Sequence, residues 1–168
     1  MSVGEPMHEE VVAALRERFP DEIEDQPEGI DTTVVVSGHR LPEVARFLRQ
    51  EAGFDYLSDL AGVDHPERFE VVYHLYSTSG PAPPLVLKVL LEDKEDPRVP
   101  SVTGVWEGAN FQEREAYDLM GIVFEGHPNL ERILLWDGFP GHPLRKDFAN
   151  RTCSFEEMEL TLPPEDHR

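Results

Sequence analysis

The sequence has little of what several functional classes require, beginning with cysteine. Its 168 residues include only Cys153, which cannot form an intramolecular disulfide or supply the several thiolates that an iron–sulfur cluster needs. Basic residues are also scarce: 15 lysines and arginines stand against 34 aspartates and glutamates, for a formal net charge of −19. Because such a surface repels phosphate groups, we expect neither nucleic-acid binding nor direct adhesion to anionic lipid headgroups.

Long apolar runs and the common phosphate-binding motifs are missing as well. No run approaches the roughly 20 apolar residues of a membrane-spanning helix, and the opening MSVGEPMHEE lacks the basic and apolar regions of a secretory signal. The sequence contains no G-x-x-x-x-G-K-[ST], no G-x-G-x-x-G after a predicted strand and no G-x-S-x-G. We therefore expect no direct membrane insertion, and nothing supports nucleotide binding or hydride transfer in this chain.

Apolar periodicity divides residues 1–120 into helices and strands. Helical spacing predicts helices over 9–19, 41–52 and 111–120. β-branched and alternating apolar residues predict strands over 31–37, within 54–63, and over 69–77 and 85–91. The last two are most simply an antiparallel hairpin, whereas the acidic residues 20–29 are expected to form turns. These patterns predict an α+β fold, a small sheet with an antiparallel hairpin covered by helices, followed by an extended C-terminal arm.

The most informative stretch runs from Glu113 to Phe148, beginning in the last predicted helix. Asn110 and Glu113 have the spacing of a capping box, in which each side chain bonds a backbone N–H near the helix start. Gly121 is the residue type that best tolerates a left-handed conformation after a helix. Arg114 and Asp118, four residues apart, are predicted to pair on one helix face.

Residues 121–168 are predicted to form the extended arm and tail, separate from the domain at 1–120. Two Gly-His-Pro triplets, at 126–128 and 141–143, each place a turn before a histidine that proline keeps extended, and we expect each imidazole to bond backbone there. The apolar residues of the arm must be buried against their own domain or against a partner. We expect the acidic tail from 156 onward to be mobile or partner-bound.

The motifs EREAYDLMGI, FEGHPNLERILL and GFPGHPLRKDF follow one another over residues 113–148. In this order they resemble the signature of the 30 kDa subunit of respiratory complex I, the proton-pumping NADH:quinone oxidoreductase, which the homologous subunits of cyanobacteria and plastids share. A dozen or more fixed positions make the signature specific. Trp136 departs from it, because a proline is expected before the Asp137-Gly138 turn.

The resemblance implies a cofactor-free structural subunit in the peripheral arm of that complex, on the cytoplasmic face of the cell membrane. The whole enzyme would pass electrons from NADH, through FMN and iron–sulfur clusters held by other subunits, to quinone, coupled to proton translocation. The chain would be part of a hetero-oligomer, contacting the large 49 kDa-like quinone-site subunit and the small iron–sulfur subunits.

The arm is predicted to lie on a partner, with Arg132, Arg145 and Lys146 meeting carboxylates. The full predicted interface consists of Glu113, Arg114, Glu115, Asp118, Gly121, His127, Pro128, Arg132, Trp136, His142, Pro143, Arg145, Lys146, Asp147 and Phe148. No catalytic, cofactor-binding or metal-binding residue is predicted.

Two alternatives remain open. The protein could be the homologous subunit of a membrane-bound hydrogenase or of a ferredoxin-dependent complex, because such relatives resemble the same pattern. From another class, a stand-alone metal-dependent hydrolase could use Asp64, His65, His127 and His142, since histidine and carboxylate ligands suit zinc. The sequence has no H-E-x-x-H motif to support that hypothesis.

Overall fold

The computed structural model of the protein describes residues 5–26, 32–80 and 82–149, without the side chains of 5–8, 25 and 26. Cys153 and the acidic tail from 156 onward therefore lie outside the described residues. The described helices are α1 (Glu5–Arg18), α2 (Leu41–Gln50) and α3 (Ala109–Met120), and a 3-10 turn at Gly38–Arg40 precedes α2. The strands are β1 (Ile23–Gln26), β2 (Thr32–Val36), β3 (Tyr56–Asp64), β4 (Phe69–Tyr76), β5 (Leu85–Leu91), β6 (Arg98–Pro100) and β7 (Val123–Glu125).

Five strands form the main sheet in the order β1-β2-β5-β4-β3. All neighbours are antiparallel except β2 and β5, which run parallel with Val34 opposite Leu87. The predicted hairpin of β4 and β5 is present, with Val71 opposite Val89. The predicted α+β fold is thereby confirmed.

The helices pack against one face of this sheet, where the core lies. Alternate residues of β4 point into the core and are fully buried: Phe69, Val71, Tyr73 and Leu75. The apolar stripe of α2 meets them in the same cluster, with Leu41, Val44, Ala45 and Leu48 at 0% exposure. The apolar spacing of α2 in the sequence predicts this burial, because residues three and four apart share one face of a helix.

The sequence patterns missed the short strands. β1 has the sequence IEDQ, without the apolar alternation of a half-buried strand, and it forms because β2 offers it an edge. β6 and β7 have three residues each and form a parallel pair, Val99 opposite Phe124. The domain boundary at 120 stays a prediction, although β7, just beyond it, pairs with a strand from before it.

The start of α3 corrects two predictions. The helix begins at Ala109 after Gly108, with no side-chain cap, so Asn110 lies inside the helix and the predicted capping box is wrong. The predicted Arg114–Asp118 pair is also wrong, since Arg114 donates to the Glu131 carbonyl and Asp118 bonds elsewhere. Glu113, Arg114 and Asp118 each bond partners distant in the sequence, which compete with the predicted local contacts.

Trp106 fastens the segment before α3 to the start of β3. Its ring is 3% exposed, and its indole N–H donates to the Phe54 carbonyl at 3.1 Å. We expect Trp106→Phe to lower the free energy of unfolding by about 1–3 kcal/mol, because the Phe54 carbonyl loses its donor and the smaller ring leaves space. Urea denaturation followed by circular dichroism measures the loss. Trp136→Phe, on a side chain 41% exposed, is the control and should change little; equal losses would contradict the assignment.

Candidate partner interface

The residues of the 113–148 stretch meet where α3 ends and the arm folds back over it. Gly121 ends the helix with φ +73°, in the left-handed region. A Cβ at this position would lie 2.6 Å from the His142 ring and 3.0 Å from the Arg145 guanidinium. Glycine is therefore required here both for its backbone conformation and for the close approach of the arm. The predicted left-handed position of Gly121 is confirmed.

The Asp118 carboxylate is the centre of this junction, and its side chain is fully buried. One oxygen accepts the backbone N–H groups of Ile133, Leu134 and Leu135 at 3.0, 2.8 and 2.9 Å. The other accepts from Arg132 at 3.0 Å. Burial by itself raises the pKa of Asp118, but these donors outweigh it and hold the pKa below its usual range. A charged carboxylate thus folds the arm onto α3.

Both predicted histidine contacts with the backbone are confirmed. His127 Nδ1 accepts the Asn129 N–H at 3.0 Å, so Nε2 carries the proton and donates to the Asn110 carbonyl at 3.1 Å. His142 Nδ1 lies 2.9 Å from the Asp118 carbonyl, which only accepts, and this nitrogen must therefore be protonated. The two Gly-His-Pro turns are fixed to the two ends of α3.

A second carboxylate holds the far end of the arm. Asp64, at the end of β3, accepts the Lys146 backbone N–H at 2.8 Å and also pairs with Lys94. Burial raises the pKa of Asp64, whereas Lys94 and the Lys146 N–H lower it, and the net direction is downward. Arg145 donates to the Met120 carbonyl at 2.6 Å and lies over the Phe69 ring. Arg132 and Arg145 were expected to meet a partner's carboxylates, but both are engaged within their own chain.

Glu113 faces away from the arm, into the interior. It is fully buried and accepts from the Ser101 hydroxyl and the Val102 N–H, each at 2.7 Å. Burial raises its pKa from 4.5 to about 7, against the lowering effect of the two donors. Glu113 therefore organises the segment between β6 and α3, and it lies apart from the junction that Asp118 forms.

The arm leaves three large apolar side chains exposed: Leu134 at 59%, Trp136 at 41% and Leu144 at 58%. We call these three residues the arm patch. Behind it, Phe139 packs edge-on against Trp136 at 4.8 Å and stacks on Phe148 at 6.1 Å between ring centroids. The exposed side chains of the arm patch thus stand on a folded arm. The predicted interface included Trp136 and Phe148 but not Leu134, which the sequence marked only as an apolar residue of the arm, or Leu144.

The other predicted interface residues lie around the junction. The Arg114 side chain donates to the Glu131 carbonyl, and Pro143 is partly buried. The remaining side chains are exposed: Glu115, Pro128, Lys146 and Asp147. In the part of the chain that the structure describes, no group of three or more histidine, cysteine or acidic residues could hold a metal ion. No described helix is long and apolar enough to cross a membrane.

We expect Asp118→Asn to release the arm. An amide offers one acceptor oxygen and no charge to the four donors, so the free energy of unfolding should fall by about 2–4 kcal/mol. Limited trypsin digestion should then cut faster after Arg145 and Lys146. Glu115→Gln, an exposed carboxylate on the same helix, is the control. Unchanged cleavage of Asp118→Asn would show that the carboxylate does not hold the arm.

Glu113 should make the stability of the protein fall as the pH rises. Because its pKa is raised by folding, the native state binds more protons than the unfolded state between pH 4.5 and about 7. The free energy of unfolding should drop by about 3 kcal/mol across this window and level off above it. Glu113→Gln should remove that part of the slope. Urea denaturation at a series of pH values tests this, and parallel curves for the two proteins would refute it.

Comparison with known proteins identifies the family. Residues 34–153 match the family described as the 30 Kd subunit of the respiratory-chain NADH dehydrogenase. The C subunit of NADH-quinone oxidoreductase from Moorella thermoacetica is 48% identical, and the alignment covers 84% of this chain and 95% of that protein. The C subunit of the Roseiflexus sp. enzyme is also 48% identical, covering 90% of this chain and 88% of the relative.

Two solved structures are similar in fold. One, titled Nqo5 of the trypsin-resistant fragment (1-134), is 38% identical with a TM-score of 0.61, covering 74% of this chain and 99% of that one. The other belongs to the membrane-bound sulfane sulfur reductase, an archaeal respiratory membrane complex, at 26% identity and a TM-score of 0.71, covering 84% and 85%. The family match spans most of the sequence, and the arrangement of α3 and the arm carries its motifs. The chain belongs to the family of the 30 kDa subunit of respiratory-chain NADH dehydrogenase.

Proposed function

We propose that this protein is a structural subunit, without a cofactor of its own, in the peripheral arm of a proton-translocating NADH:quinone oxidoreductase. The arm patch is the observation that carries the structural part of this role. An exposed apolar surface rimmed by polar residues marks a contact with another protein. Leu134, Trp136 and Leu144 are exposed on the arm among polar residues, and Asp118 keeps the arm folded.

The partners we propose are the large 49 kDa-like quinone-site subunit and the small iron–sulfur subunits of the same arm. The complex would hold the protein at the cytoplasmic face of the cell membrane, and other subunits would carry FMN and the clusters. The charges of the protein fit a positioning role, because four of them bond within the protein and hold the arm in place: Asp118, Asp64, Arg132 and Arg145. The side chain of Lys146 is exposed and remains able to meet a carboxylate of the partner.

The alternatives have weaker support. The sequence identity to the subunit of the sulfane sulfur reductase is 26%, whereas the identity to each of the two NADH-quinone oxidoreductase subunits is 48%. This difference favours the NADH:quinone enzyme over a hydrogenase-like complex. For a hydrolase, the geometry is unfavourable: Asp64 is bound by Lys94 and Lys146, and His127 by backbone at the start of α3. These candidate metal ligands therefore already have hydrogen-bond partners, and the partners belong to different parts of the fold.

Affinity purification of the tagged protein from its own membranes tests the proposed function. The wild-type protein should bring down an assembly that contains flavin and iron–sulfur clusters. Recovery of the protein by itself, with stoichiometric bound metal, would overturn the subunit assignment and favour the hydrolase.

A variant with Trp136→Ala and Leu144→Ala should reduce recovery of the assembly about tenfold or more, as truncation of central apolar anchors does at interfaces. The control is Phe111→Ala, on a side chain 66% exposed near the start of α3. These substitutions are preferable to reversing the charge of Arg145, which would also break the contact with Met120. Full recovery of the double variant would mean that the arm patch is not the docking element.

A further inference from the structure

The second face of the main sheet takes no part in the core or in the arm junction. Its residues alternate with the core residues along each strand, so the strand registers define it, and Val35, Val72 and Val86 at its middle are buried by their neighbours. We call it the open sheet face, and it consists of Thr33, Val35, Tyr56, Ala61, Val63, Glu70, Val72, His74, Tyr76, Val86, Lys88 and Leu90, flanked by Glu24 and Asp59. Among the described elements, the helices pack on the opposite face.

Two of the three inner strands, β2 and β5, are mostly apolar on both faces. β2 has the sequence TTVVV and β5 has LVLKVLL, near-continuous apolar runs of the kind found in sheets covered on both sides. A sheet with one solvated face normally alternates between apolar and polar residues. Val35 and Val86 stand where that alternation would place polar side chains. The composition of these strands therefore indicates a second covering layer.

Charged residues lie at both edges of this face and on its inner strands. In register from one edge to the other, the central row is Glu24, Val35, Lys88, Val72 and Ala61. The edge strands carry exposed carboxylates, Glu24 on β1 and Asp59 on β3, and the inner strands carry Lys88 and the buried Glu70, which Arg68 pairs at 3.0 Å. Lys88 is half-buried and has no ion-pair or hydrogen-bond partner within the described ranges. The Lys88 ammonium is therefore available to a carboxylate on a covering layer.

One end of the face is aromatic. Tyr56 and Tyr76 stand opposite each other on β3 and β4 and are 52% and 39% exposed. Val63, at the other end of β3, is 37% exposed. Exposed tyrosines beside apolar residues are characteristic of protein–protein contacts, because the ring is buried while the hydroxyl keeps a polar partner.

We propose that the open sheet face is a second docking surface, covered in the assembled complex by another protein subunit. That subunit would present an apolar surface with a carboxylate opposite Lys88 and basic side chains opposite Glu24 and Asp59. The proposal rests on the proposed function only in requiring a hetero-oligomer. A second copy of this protein is a poor occupant, because it would bring two acidic edges together and two net charges of −19.

Tyrosine nitration with tetranitromethane, read by mass spectrometry, tests the proposal directly. The protein has four tyrosines, and Tyr73, at 0% exposure, is an internal control that should stay unmodified throughout. Tyr56 and Tyr76 should react in the isolated protein and be protected about tenfold or more in the intact complex on its membranes, as burial in a stable interface requires. Equal reactivity in both states would overturn the proposal.

Charge reversal tests the predicted acceptor. Lys88→Glu should lower recovery of the assembly about tenfold or more, because it leaves a carboxylate facing the partner's carboxylate, while Lys88→Arg should retain recovery. Arg46→Glu reverses an exposed charge on α2, on the covered side of the sheet, and should have no effect. The melting temperature of each variant shows whether it folds.

The outcomes separate this inference from the proposed function. If the wild type brings down the assembly and Lys88→Glu does so equally well, the second surface is refuted and the subunit role stands. If the isolated protein dimerises in sedimentation velocity and this protects Tyr56 and Tyr76, the occupant is a second copy and the proposal is wrong. If the wild type recovers no other subunit, both proposals fail.

Discussion

The arrangement of α3 and the arm depends on one buried carboxylate, that of Asp118. Three consecutive backbone N–H groups and one guanidinium converge on it, so the charge is desolvated but fully bonded. An arm with little secondary structure cannot satisfy its own backbone groups, and a carboxylate from a helix does so for three of them. Gly121, His142 and Arg145 then fit closely around this contact. Removing the charge would leave several buried donors without an acceptor at once.

This anchoring determines what the arm can offer to a partner. Because Arg132 and Arg145 bond within the protein, the arm offers a partner its exposed apolar side chains and the exposed charges around them, among them Asp137, Lys146 and Asp147. The arm is therefore already folded when it meets its partner, and association loses less conformational entropy than it would with a disordered segment. Together with the open sheet face, the protein has two candidate contact surfaces on different elements. A subunit that positions others would need such surfaces more than it needs a catalytic site.

Much of this could be predicted from the sequence where local rules decide the outcome. The stripe of α2, the β4–β5 hairpin and the left-handed Gly121 follow from spacing and residue type, and the structure has all three. The partners of α3's charged residues could not be predicted, because Ser101 and Arg132 reach Glu113 and Asp118 across more than ten residues. β1 was missed for a related reason: its sequence lacks an apolar pattern, and its pairing with β2, which is distant information for a local rule, makes it a strand. The resemblance drew attention to these motifs without revealing that Asp118, Arg132 and Arg145 bond within the protein.

Hydrogen exchange of the backbone amides of Ile133, Leu134 and Leu135 in the isolated protein tests the central claim most directly. If the Asp118 carboxylate holds the arm, these three amides should exchange slowly, at rates comparable to those of α3, and should become fast in Asp118→Asn. If they exchange in the wild type at the rate of an unstructured peptide, the arm is not folded before assembly. The partner, and not Asp118, would then be what orders it.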